Sequence, residues 1–210
     1  MSEVSRYWRA PEADMNLFPG SRACFFCGQV GPGFDLGDTI GSSPVGEDRD
    51  GKAGCLGCLR LDRFGFSHVT NAGFLGEEGW VVFEDEVETP GRVFTVSAVG
   101  EAVASAVPKP PRPVVSEESI AELRRTPTFL SWQDQGWQVH CNDFMAFLGI
   151  WGLDDFAGQA ADGEGRALFL EMASDYRQLW REGEPPHFDA NFVIFECLHC
   201  GVRTATGDFD

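Results

Sequence analysis

Three Cys-x-x-Cys pairs constrain this chain more than any other feature: Cys24/Cys27, Cys55/Cys58 and Cys197/Cys200. Random spacing of the seven cysteines in 210 residues would produce about 0.2 such pairs. A two-residue gap lets two thiolates converge on one ion at about 2.3 Å, and four donors complete the tetrahedron that zinc adopts. In Cys24-Phe25-Phe26-Cys27-Gly28 and Cys197-Leu198-His199-Cys200-Gly201 a glycine follows the second sulfur. Glycine accepts the positive φ that such a turn needs. Cys55/Cys58 lacks that glycine and runs into Leu59-Arg60-Leu61. It fits a helix start, where the helix dipole favours thiolate charge. Together these pairs predict one four-cysteine zinc site of Cys24, Cys27, Cys55 and Cys58. A thioredoxin-like redox motif would need a surrounding βαβ pattern, and none is legible.

Cys197 and Cys200 need partners, and His140-Cys141 is the other dense group of ligand types. Cys141 is the expected third ligand and His140 the leading fourth, with His199, Asp143 and Asp208 as rivals. Adjacent residues on a helix point about 100° apart, so joint ligation by 140 and 141 requires a helix end or a loop. Water in the fourth place would make the site resemble a catalytic zinc. A Cys141 nucleophile activated by His140 is disfavoured, because sequence neighbours seldom reach each other as a catalytic pair. No P-loop, dinucleotide fingerprint or His-Glu-x-x-His motif is present. His68 and His187 stand alone and read as core or surface histidines.

The apolar fraction of 43% and charged fraction of 23% are those of an ordinary globular chain. A net charge of −17 repels phosphate backbones and anionic lipid. Nucleic-acid and membrane binding are therefore disfavoured, and a basic partner is the natural complement. The acidic run Glu77, Glu78, Glu84, Asp85, Glu86 and Glu88 is either a solvated face or a docking surface for such a partner. The start, Met1-Ser2-Glu3-Val4-Ser5-Arg6, has no apolar stretch behind a basic patch, so no secretory signal is expected. The run 144–153 is shorter than the roughly 20 residues that span a bilayer. Cytoplasmic location follows as the expectation.

The periodicities predict an α+β fold. Strands are expected at 81–83 and 93–96, joined through Pro90-Gly91 as a hairpin. A short helix is expected from 59, and another over 116–125, capped by Ser116 and ended by Pro127. Further helices are expected at 139–148 and 164–180. In the latter, Leu168, Phe169, Met172, Ala173, Tyr176, Leu179 and Trp180 share one face and read as core. Strands at 191–196 and 202–206 flank the last Cys turn. Trp132, Trp137 and Trp151 are expected to pack around His140-Cys141. The chain reads as one domain of two lobes, 1–106 and 114–210, joined by a stiff proline-rich linker at 107–113. The N-terminal lobe is zinc-knuckle or treble-clef-like, and the C-terminal lobe is helical with a zinc-knuckle hairpin.

Arg125-Thr126-Pro127, Ser131-Trp132-Gln133, Trp137, His140-Cys141, Asp143 and Phe147-Leu148-Gly149 resemble the signature block of the CbrC family. The ending Cys197-x-x-Cys200-Gly201 with Asp208 and Asp210, and the two N-terminal cysteine pairs, are similar to that family too. The resemblance implies a bacterial cytosolic protein in a family named for tolerance to a DNase-type colicin. It implies no enzymatic activity. The chain departs from the family pattern at Tyr7-Trp8-Arg9-Ala10-Pro11 and around Cys55-Leu56-Gly57-Cys58. The expected function is a zinc-stabilised binding protein that acts in toxin tolerance or immunity by meeting a basic protein, such as a nuclease toxin. Two rivals stand beside it. One is a zinc hydrolase using His140, Cys141, Cys197 and Cys200; the other is a zinc-ribbon nucleic-acid binder, which the charge opposes.

Overall fold

A computed structural model of the chain describes residues 5–37, 39–40, 51–82, 92–96, 102–106, 112–131, 136–180 and 191–208. The acidic residues 84–88, the Pro90-Gly91 turn, linker residues 107–111 and Trp132 lie outside them. The architecture is mixed α and β, with small antiparallel sheets. In chain order, β1 (Arg22–Ala23) pairs β2 (Val30–Gly31), and β3 (Phe34–Asp35) pairs β5 (Ala53–Gly54) across β4 (Thr39–Ile40). Helix α1 (Leu56–Arg60) follows, and β6 (Gly65–Phe66) pairs back onto β4. Next come β7 (His68–Val69), β8 (Gly73–Gly76) and β9 (Gly79–Val82), forming one three-stranded sheet.

The turn of the hairpin expected over 80–97 lies outside the described residues, and the described strands on either side of it pair elsewhere. β9 pairs with β8, and β10 (Arg92–Val96) pairs with β11 (Ala102–Ala106). Closure entropy explains the choice: only Glu77-Glu78 separates β8 from β9, and short loops cost least to close. Helix α2 (Glu117–Arg124) matches its expectation. The Ser116 side chain accepts the Ser119 N–H at 3.1 Å, Glu117 and Glu118 fill the first turn, and Arg124 the last.

The expected helix at 139–148 is instead three strands: β12 (Val139–His140), β13 (Asp143–Phe144) and β14 (Ala146–Trp151). Cys141 and Asn142 hold φ of 51° and 58°. Two successive positive φ values belong to a type I′ hairpin turn, which Asn favours and a right-handed helix excludes. Helices α3 (Leu153–Gln159) and α4 (Arg166–Met172) follow. The long helix expected over 164–180 breaks at Ala173 (φ −120°, ψ 47°) and resumes as a 3₁₀ segment, Ser174–Leu179. Ser174 and Asp175 compete for backbone groups and favour such restarts. All seven stripe residues still pack in one core. β15 (Asn191–Glu196) and β16 (Arg203–Asp208) close the chain.

The sheet β14-β15-β16 divides two cores. Alternate residues of a strand face opposite ways. Val193 and Phe195 of β15 accordingly join the main core, and Phe192 and Ile194 join Phe156, Phe169 and Trp180 on the other side. The main core draws on residues from Tyr7 to Cys197, including Phe34, Phe64, Trp137 and Phe147. Trp137 is buried there, and its Nε1 donates to the Met145 carbonyl at 2.8 Å. Trp151 sits with the second core against Phe156, not around His140-Cys141 as expected. The N-terminal segment adds to β14 as a parallel bridge, Trp8 against Phe147, with the Phe147 N–H donating to the Tyr7 carbonyl at 2.8 Å. That strap carries Tyr7 to the neighbourhood of His140-Cys141.

Candidate metal centres

Two turns of the chain fold alike. In the first, the Cys24 N–H donates to the Gln29 carbonyl at 2.8 Å and the Gly28 N–H to the Cys24 carbonyl at 2.7 Å. In the last, the Cys197 N–H donates to the Val202 carbonyl at 2.8 Å and the Gly201 N–H to the Cys197 carbonyl at 3.0 Å. Gly28 and Gly201 hold φ of 73° and 72°, as the sequence predicts for the residue after the second sulfur. The other half of the first cluster comes from the helix start: Cys55 is the N-cap of α1 and Cys58 lies in its first turn.

The sulfurs of Cys24, Cys27, Cys55 and Cys58 lie within 4.8 Å of one another, with Cys24–Cys58 and Cys27–Cys55 each at 3.7 Å. Zinc–sulfur bonds of about 2.3 Å give a tetrahedron with sulfur–sulfur edges of about 3.8 Å. The donors therefore stand at coordination spacing, far beyond the roughly 2.04 Å of a disulfide. The Cys55 N–H also points at the Cys24 sulfur, at 3.3 Å. Burial pushes the Cys24 thiol up, but N–H donors from Cys55, Cys27 and Phe26 bring it down to about 6. Burial and the neighbouring sulfurs push Cys58 up.

The second cluster joins the hairpin β12–β13 to the turn between β15 and β16. His140, Cys141, Cys197 and Cys200 offer donor atoms within 4.8 Å of one another. Cys141 and Cys200 sulfurs are 3.8 Å apart, and the Cys200 sulfur lies 3.5 Å from His140 Nδ1. A tetrahedral edge between sulfur and nitrogen is about 3.5 Å for zinc–nitrogen bonds of about 2.0 Å. The hairpin turn lets both 140 and 141 converge, which a helix would forbid. Burial raises the Cys197 thiol, while N–H groups of Cys200 and His199 and the His140 side chain bring it down to about 6. Cys141 is pushed up to about 11 by desolvation and by the Cys200 and Cys197 sulfurs beside it.

The rivals for the fourth place are otherwise engaged. Asp143 is buried; its Oδ1 accepts the Tyr7 hydroxyl at 2.6 Å and its Oδ2 lies 3.0 Å from His199 Nε2. Burial raises Asp143, but hydrogen bonds from Tyr7 and His199 and the Arg6 charge hold it below the usual carboxylate range. Asp208 bonds Ser131 Oγ at 3.1 Å. From the sequence Asp143 and His199 are competing ligands, and nothing local ties either to Tyr7, which bonds Asp143 from 136 positions away. The lone signal for the pair is that each lies within two residues of a candidate donor.

Fold and site together define a small mixed α/β protein with two four-donor, cysteine-rich clusters suited to zinc. The chain belongs to an uncharacterised protein family, UPF0167, whose model matches residues 99–209. That span holds all four residues of the second cluster and none of the first. A UPF0167 protein of Pseudomonas aeruginosa is 32% identical over 98 residues, covering 45% of this chain and 54% of its own length. UPF0167 proteins of Mycobacterium bovis and Mycobacterium tuberculosis are each 33% identical over 105 residues, covering 44% of this chain and 52% of theirs. The chain thus spans about half the length of these curated relatives. No solved structure gives a significant match. Among the described residues no helix is long and apolar enough to cross a membrane.

Proposed function

We propose that the chain is a zinc-clamped bacterial cytosolic binding protein that acts in toxin tolerance by receiving a basic protein such as a nuclease. One observation carries the reading: each cluster brings four protein donors within 4.8 Å of one another, with the measured pairs at 3.5–3.8 Å. A structural zinc has four protein ligands, whereas a catalytic one keeps a place for water. On this reading the N-terminal cluster is treble-clef-like, a Cys turn plus a helix start, and the C-terminal one is a knuckle hairpin completed by His140-Cys141. The hydrolase alternative would need a substrate cleft beside the second cluster. Clefts of about 590 and 330 Å³ are formed by the described residues, and neither is lined by a residue of the second cluster.

The charge of −17 supplies the rest. A nuclease carries a cationic cleft for its substrate, and an acidic protein occludes it with steered association. Resemblance to the CbrC family, named for colicin tolerance, points the same way. The test is purification of the tagged full chain from its native host, identification of what accompanies it, and association kinetics with that partner. A cationic nuclease is expected, binding about 10–1000-fold faster at low salt than at high. A neutral or acidic partner, or association indifferent to salt, overturns the proposal; a bound small metabolite favours the enzyme.

A further inference from the structure

We propose that the second cluster is a peroxide-responsive centre, closing a Cys141–Cys200 disulfide and giving up its metal while the first cluster keeps its own. The inference rests on the zinc reading above and goes beyond it by separating the two clusters. Zinc coordination makes the cysteine ligands of both clusters thiolates; what then governs oxidation is solvent access and a second sulfur within reach. The clusters differ in access. In the first, Cys24 and Cys58 face each other at 3.7 Å, both buried, and exposed Cys27 faces half-buried Cys55. In the second, Cys141 and Cys200 are both exposed and stand 3.8 Å apart, with His140 exposed beside them. Among the described close sulfur pairs, this one alone has both members exposed.

The chemistry balances with hydrogen peroxide as the oxidant. One thiolate of the pair attacks a peroxide oxygen; the O–O bond breaks, giving a sulfenic acid and a hydroxide that takes up a proton. The second thiolate attacks the sulfenic sulfur; the S–S bond forms and a second hydroxide leaves as water. Two thiolates, one peroxide and two protons become one disulfide and two waters. His140 and Cys197 are then left as two donors where zinc holds four.

The fold tolerates this exchange. Cys141 lies in the two-residue turn of a surface hairpin, so its sulfur moves with little change in the core. The hairpin stays docked through the bond between Asp143 Oδ2 and His199 Nε2 and through the Tyr7 hydroxyl on Asp143. A covalent link replaces a coordinate one between the same two turns, so the change is reversible by a thiol and added zinc.

The experiment uses the full chain, purified with zinc and without reductant. Elemental analysis first establishes two zinc ions per chain. Hydrogen peroxide is then added with a zinc-reporting dye present, and the products are peptide-mapped under non-reducing conditions. The expected result is release of one zinc at least about tenfold faster than the other, with the linkage Cys141–Cys200 and recovery on adding thiol and zinc. Loss of both ions at one rate, earlier loss from the first cluster, a Cys27–Cys55 linkage, or over-oxidation without a disulfide each overturns it. In those cases the two-zinc reading still stands. A preparation that carries no zinc before peroxide refutes that reading and this one together.

Discussion

His68 is 6% exposed, its ring edge-on to Trp137 at 5.2 Å and beside Phe66, and its Nε2 has no hydrogen-bond partner among the described residues. Burial lowers its pKa to about 4, against the upward pull of the Thr126 and Leu123 carbonyls. In the unfolded chain the imidazole titrates near its ordinary value of about 6.5. Between those values the unfolded state binds the extra proton, so stability from this residue is complete above about 6.5 and falls as pH drops toward about 4. The loss amounts to about 3 kcal/mol across that window. The variant His68→Gln is expected to flatten this part of the pH dependence relative to the parent, as urea denaturation at several pH values will show. A parallel slope in parent and variant would place the acid sensitivity elsewhere. At the same scale, Tyr7→Phe leaves buried Asp143 short of one donor and is expected to cost about 1–3 kcal/mol, read by the same titration. The sequence leaves His68 as core or surface and gives Tyr7 no role. A side chain's surroundings depend on residues far along the chain, and neither burial nor a contact across 136 positions leaves a local mark.

Elements were legible where local chemistry decides them. Ser116 and the charge order of α2 are a complete local specification, and the glycine after each Cys turn is another. The run 139–148 misleads because an apolar stretch suits a buried strand as well as a helix, and the decision passes to Cys141 and Asn142. Their positive φ values make the turn a point of strain for most residues. Asn142→Gly is expected to be nearly neutral, and Asn142→Val to cost about 1–2 kcal/mol. Gly201→Ala meets no atom within 4 Å, so its expected cost of about 1 kcal/mol is backbone strain alone. Chemical denaturation of the three variants checks the order. Equal stability of Gly and Val at 142 would contradict the turn assignment.

For the whole molecule, two clusters tie distant parts of the chain together: 24–27 to 55–58, and 140–141 to 197–200. Because a site of this kind is not preformed in the unfolded chain, metal binding energy becomes folding energy. Chelation is expected to loosen both ends of the protein and lower its melting temperature. Cys24→Ser and Cys197→Ser are each expected to lower it as well, by weakening one cluster while the other retains its metal. Thermal melts beside zinc analysis test this; two variants melting like the parent would show that the cysteines are not ligands. What the sequence by itself determined here is the set of candidate metal donors, the turn glycines, the helix-start pair and the acidic balance. Each is a property of residue type and short spacing. Only the tertiary structure decided that β15 separates two cores, that β8 rather than β10 claims β9, and that 140 and 141 reach one point. It also decided that Asp143 serves Tyr7 and His199 instead of a metal. These outcomes turn on which distant surfaces meet. That is settled by burial and loop closure summed over the whole chain, and a local pattern carries no record of either.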